Sequence, residues 1–158
     1  MSQAVMDEAP AHRRFAAECF NHVWTLLEKP QRTADDDEEM IHCAHASVWH
    51  WSRRSDQTPT NRAIGAWQLA RVYAQARRPD EARRYARQSL DLCREHGLAA
   101  FFAGYACEAH ARADAVAGDR ASCDRWLAEA QGWARSVTDP GERQQLLNDL
   151  ETVRIAGV

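Results

Sequence analysis

Apolar positions along this chain recur every three or four residues, in blocks that break at short polar stretches. Phe15, Cys19, Val23 and Leu26 repeat in this way, as do Ile41, Ala44, Val48 and Trp51. Such spacing winds a single apolar stripe along a helix. No window shows the alternation of a half-buried strand, Ala is abundant and β-branched residues are sparse. The pattern predicts seven helices, over about residues 11–28, 35–54, 60–76, 80–95, 99–117, 120–135 and 140–154. Short connections force successive helices antiparallel, so the expected fold is all-α, built from stacked antiparallel helix pairs.

The breaks carry their own chemistry. Pro30 ends the first helix, and the acidic run Asp35-Asp36-Asp37-Glu38-Glu39 opens the second, where carboxylates complement the helix macrodipole. Thr60 or Asn61 is the expected cap of the third helix. Pro79 is placed to open the fourth, and Gly97 to close it in a left-handed conformation. Gly118-Asp119 and Asp139-Pro140-Gly141 mark the last two turns.

The fourth and sixth helices open alike. Pro79-Asp80-Glu81-Ala82 aligns with Gly118-Asp119-Arg120-Ala121, a spacing of 39 residues, and two-helix repeats of that length build solenoids. At Leu69, Ala70, Tyr73 and Ala82 the chain resembles the tetratricopeptide repeat (TPR), with apolar, small and aromatic residues on the family's places. Ala66, Ala86, Glu108 and Arg112 depart from it, while Tyr105, Ala109 and Ala121 keep it in the second copy. The resemblance spans about residues 61–135 and implies a right-handed superhelix. It also implies that the first helix of each pair lines a concave binding face. Leu26 to Pro30, with His42, His45 and Trp51, is similar to a bacterial family of TPR-like proteins and implies no chemistry. The expected organisation is a flexible N-terminus, residues 1–10, followed by one TPR-like domain, residues 11–158. Within it lie an N-terminal helix pair (11–56), two degenerate repeats (61–135) and a capping helix (140–154).

Composition narrows the functional classes. At 158 residues with 45% hydrophobic and 27% charged residues, the chain can bury a core. A net charge of −3 provides no general attraction to nucleic acid or anionic lipid. The basic residues are 19 Arg and one Lys, which reads as the codon bias of a GC-rich bacterial genome. Five scattered cysteines with no CxxC pattern read as reduced thiols. The acidic N-terminus lacks the features of a signal peptide, and no apolar run reaches a membrane span's length. A cytoplasmic protein, without nucleic-acid or membrane partners, is expected.

Two constellations carry candidate function. No Walker motif, GxGxxG, HExxH or GxSxG occurs, so the leading expectation is a protein or peptide partner, or a second copy of the chain, and no cofactor. By the family register Ile64, Trp67, Arg71 and Gln75 face the groove, and His110 and Asp114 reach it from the fifth helix. The alternative is a divalent transition metal, either in an enzyme or in a sensor. On the second helix Glu38, His42 and His45 share a stripe, Glu39 and His42 have ExxH spacing, and Glu18 and His22 on the first helix can face them.

Overall fold

In a computed structural model, which describes residues 8–156 and side chains through Arg154, the expected helices form. Most of the N-terminus expected to be flexible, residues 1–7, lies outside the described residues. The elements are α1 (Ala9–Leu27), α2 (Ala34–Ser52), α3 (Pro59–Gln75), α4 (Pro79–His96), α5 (Ala100–Ala117), α6 (Arg120–Ser136) and α7 (Pro140–Ala156). No strand occurs among the described residues. Contacts divide the chain into two compact units, one up to Gln57 and the other from Thr58.

In the first unit α1 packs against α2. Ala16, Val23 and Leu26 are buried on α1, and Met40, Ile41 and Ala44 on α2. Ser47 is also buried, its hydroxyl donating to the Ala16 carbonyl at 2.8 Å. The acidic run has a more specific role than dipole compensation. Thr33 caps α2 in a reciprocal box with Asp36, each side chain accepting from the other's backbone N–H. Lys29, at 2.6 Å from Asp36, adds to this and holds its carboxyl down at about 2.

In the second unit α3 packs on α4 and α5, and α5 also packs on α4, α6 and α7. Its N-terminal boundary corrects the cap assignment. Thr58, not Thr60 or Asn61, caps α3; Pro59 is the first helical residue and Asn61 completes the box. Pro occupies N1 here because its missing N–H would have had no helical partner. Gly97 and Gly118 end α4 and α5 at φ +58 and +77, where a Cβ is strained.

Small residues let the paired helices approach. Ala70, Ala86 and Ala109, from α3, α4 and α5, meet in one buried cluster beside Trp67 and Tyr85. Gly104 is tighter still: a Cβ there would lie 2.5 Å from Leu146 Cδ2 and 3.4 Å from Trp133 Cβ. Leu146 is fully buried in the α5–α6–α7 core and has little room to move. Gly104→Ala therefore trades a helix-propensity gain of about 1 kcal/mol against overpacking of about 1–3 kcal/mol. The expected result is a lower urea midpoint; a midpoint equal to or above wild type would show that the contact relaxes freely.

Candidate functional site

On one side of the second unit, α3, α5 and α7 present side chains to one another around Glu108. This carboxylate has no solvent exposure. It accepts from Trp67 Nε1 at 3.3 Å and Arg71 Nη1 at 3.2 Å, and from Arg112 one helical turn along α5. Arg112 continues to α7, donating to the Asp149 carbonyl at 3.2 Å and to Thr152 Oγ1 at 2.5 Å. Tyr105 donates its hydroxyl to Asp149 Oδ2 at 2.5 Å. Burial, helped by Asp149, pushes the Tyr105 phenol up, so it stays a neutral donor. Burial pulls Arg71 down while Glu108 pulls it back, and the Arg71 Nε is left buried without an acceptor. Both guanidiniums contact the Glu108 carboxylate while the Asp149 carboxylate is taken by Tyr105, and the formal charges of these four ionisable groups, Arg71, Arg112, Glu108 and Asp149, sum to zero.

Directly beside this network lies an apolar pocket of about 160 Å³. Ile64 and Trp67 of α3 line it with Phe101, Phe102 and Tyr105 of α5 and Gln145 of α7. The Tyr105 ring meets Trp67 edge-on at 5.3 Å and Phe101 at 5.0 Å. Its inner polar group, the Ser89 hydroxyl, already donates to the Ala63 carbonyl at 2.9 Å. The pocket wall is therefore held from behind, through the Trp67 indole N–H on Glu108.

Of the residues assigned to a partner face, Ile64 and Trp67 line this pocket and Arg71 lies in the adjoining network. Gln75 is half-buried at the last turn of α3. His110 and Asp114 do not join them. Two residues along α5 from Glu108, His110 points about 160° away around the helix. There it stacks on Trp126 of α6 at 4.1 Å, and Asp114 accepts from Arg83 of α4 at 2.6 Å. Both belong to a second, charged concavity that Arg83, Arg87 and Arg94 also line. Glu108 and Arg112, which the repeat pattern reads as departures, are the centre of the network instead. The signal for them was present: an acid and an arginine four apart at positions the repeat reserves for buried residues.

The first unit places the metal-ligating types differently from the α2 stripe. His22 of α1 reaches across to α2, where its Nε2 lies 2.6 Å from Glu39 Oε1. Cys43 joins them, and a donor atom from each of the three lies within 4.8 Å of the others. Glu38 and His42 are exposed and His45 is half-buried, and none of the three enters this group. Glu18 pairs with Arg14 along α1 at 3.7 Å instead. A separate contact joins His12 and His50, Nδ1 to Nδ1 at 2.9 Å, next to Trp49, which is 55% exposed. Elsewhere the thiols are quiet: burial pushes Cys93 up to about 11 and Cys107 to about 12.

No protein-family model, curated protein or solved structure matches this chain. Among the described residues no helix is long and apolar enough to cross a membrane.

Proposed function

We propose that this chain is a TPR-like interaction module that takes up a peptide segment of a partner protein on the α3–α5–α7 face. One apolar side chain of the partner would enter the pocket formed by Ile64, Trp67, Phe101, Phe102 and Tyr105. The observation that carries the reading is that pocket, open and apolar, with its indole wall held by a buried carboxylate. Aromatic anchors held rigid before binding lose little entropy on association, and this is where interface energy concentrates.

Size and charge favour a peptide anchor over other ligands. At about 160 Å³ the cavity is smaller than the ~300 Å³ at which small-molecule sites begin. It suits a single leucine-sized or aromatic side chain. The formal charges of the neighbouring Arg71, Arg112, Glu108 and Asp149 sum to zero, so they do not select an acidic partner. Gln145 lines the pocket from α7 with an exposed side chain that also hydrogen-bonds the Tyr105 hydroxyl. The five free cysteines support a reducing, cytoplasmic setting.

A random peptide display library tests this. Enriched peptides are expected to share one apolar anchor residue and to perturb the Trp67 indole N–H signal in NMR spectra. Ile64→Glu, which puts a charge at the half-buried pocket wall, is expected to weaken them by about tenfold or more. Failure to enrich any common anchor, or binding indifferent to Ile64→Glu, would overturn the reading. A chain that binds only itself through this pocket would also replace the peptide with a second copy.

A further inference from the structure

We propose that α1 and α2 hold a divalent transition-metal ion between them, ligated by the His22 imidazole, a Glu39 carboxylate oxygen and the Cys43 thiolate. The site is independent of the peptide face, lying wholly in the unit that ends at Gln57. Its residues come from both helices, so a bound ion would clamp the pair.

The geometry distinguishes this trio from an ordinary surface ion pair. An exposed His–Glu contact is common and contributes about 0–1 kcal/mol. Here a third donor converges on it, and that donor is a thiol. His22 Nε2 and Glu39 Oε1 already touch at 2.6 Å, and Cys43, one turn beyond Glu39 on the same face of α2, brings its sulfur within 4.8 Å of both. Ligand atoms around a tetrahedral zinc lie about 3.3–3.8 Å apart, so small side-chain rotations close the site. The ion would take the place of the direct His22–Glu39 contact, and the Cys43 thiol would release its proton to solvent on binding.

Donor chemistry selects the class of metal. One thiolate, one imidazole and one carboxylate suit zinc or cobalt, not magnesium or calcium, which take all-oxygen shells. Three protein ligands leave a fourth position. The His22 and Glu39 side chains are 44% and 55% exposed, so that position faces water. Such an open coordination site is the arrangement of catalytic and exchangeable zinc, whereas structural zinc is closed by four protein ligands.

The test uses the full chain without a polyhistidine tag and adds Zn²⁺ or Co²⁺ alone. Zinc competition against a chromophoric chelator is expected to show one equivalent bound with Kd below about 1 µM. Cobalt is expected to show a thiolate-to-metal charge-transfer band that Cys43→Ser abolishes. Cys43→Ser and His22→Gln are expected to weaken zinc by about 100-fold or more, losing a ligand outright where loss of a mere supporting contact costs 10–100-fold. His42→Ala and Glu38→Gln, on the same helix outside the trio, are expected to bind as wild type does. Circular dichroism of each variant separates lost ligation from lost fold. Substoichiometric zinc, a cobalt spectrum without the thiolate band, or equal losses in His42→Ala would each overturn the site.

Discussion

Glu108→Ala is expected to destabilise the second unit by about 3–5 kcal/mol, a large share of the stability of a domain this size. The carboxylate has no access to water and receives Trp67, Arg71 and Arg112 at once. Removing it takes away the carboxylate that both guanidiniums contact and leaves two positive charges in a half-buried site with only Asp149, which is engaged by Tyr105, nearby. Chemical denaturation followed by tryptophan fluorescence reads the loss. A drop below about 1 kcal/mol would mean that water enters and solvates the arginines, and the network would then be peripheral. A second variant separates charge imbalance from packing. Replacing Arg71, Glu108 and Arg112 together by Met, Leu and Met removes all three charges while keeping volume, and is expected to recover most of the stability. Such recovery would mean that the network serves to hold Trp67 in position, because an apolar core would be as stable without fixing the indole.

Acidification gives the second large effect, through His110. Desolvation between α5 and α6 holds this imidazole down at about 4, assisted by Arg87 and Arg94 and opposed by Asp114 and Asp91. In the unfolded chain its pKa is about 6.5. Between these values the unfolded chain binds a proton that the folded chain refuses. Stability is therefore complete above about pH 6.5 and declines as pH falls toward 4, by roughly 3 kcal/mol from this group. Exposed carboxylates such as Asp36, held at about 2, lose their contribution only below this window. His110→Phe keeps a ring on Trp126 and removes the titration. Unfolding free energies measured from pH 7 to 4 are expected to fall less steeply in this variant. Parallel slopes for the two proteins would show that the buried ring is protonated in place.

How far the sequence alone could lead depends on the range of the interaction. Helix number, type and approximate ends were legible because they depend on local chemistry: apolar period, Pro at the first helical position, Gly at left-handed ends. Even so, the α3 cap, Thr58, lies two or three residues ahead of the expected Thr60 or Asn61. Thr58-Pro59-Thr60-Asn61 offers three capping side chains within four residues, and only the backbone bend decides that Thr58 is the one. The partner-face residues divided along the same line. Ile64 and Trp67 sit together because one helix sets their spacing, whereas His110 and Asp114 turn to a different neighbour. Helical phase on α5 was readable, but which helix lay on each side of it was not.

The metal-ligating residues show this most clearly. On α2, the acidic run and histidines made Glu38, Glu39, His42 and His45 look equivalent, all within a helical turn or two of one another. The position of α1 distinguishes them, because His22 meets Glu39 and thereby brings Cys43 into range. What the sequence by itself determined is the set of seven helices, their apolar faces and the stops between them, since hydrogen-bonding and period act over a few residues. What only the tertiary structure decided is which polar side chains converge: Glu108 with Trp67, Arg71 and Arg112, and His22 with Glu39 and Cys43. Those meetings depend on the rotation of one packed helix against the next, which is set by many small contacts at once and leaves no mark at any single position.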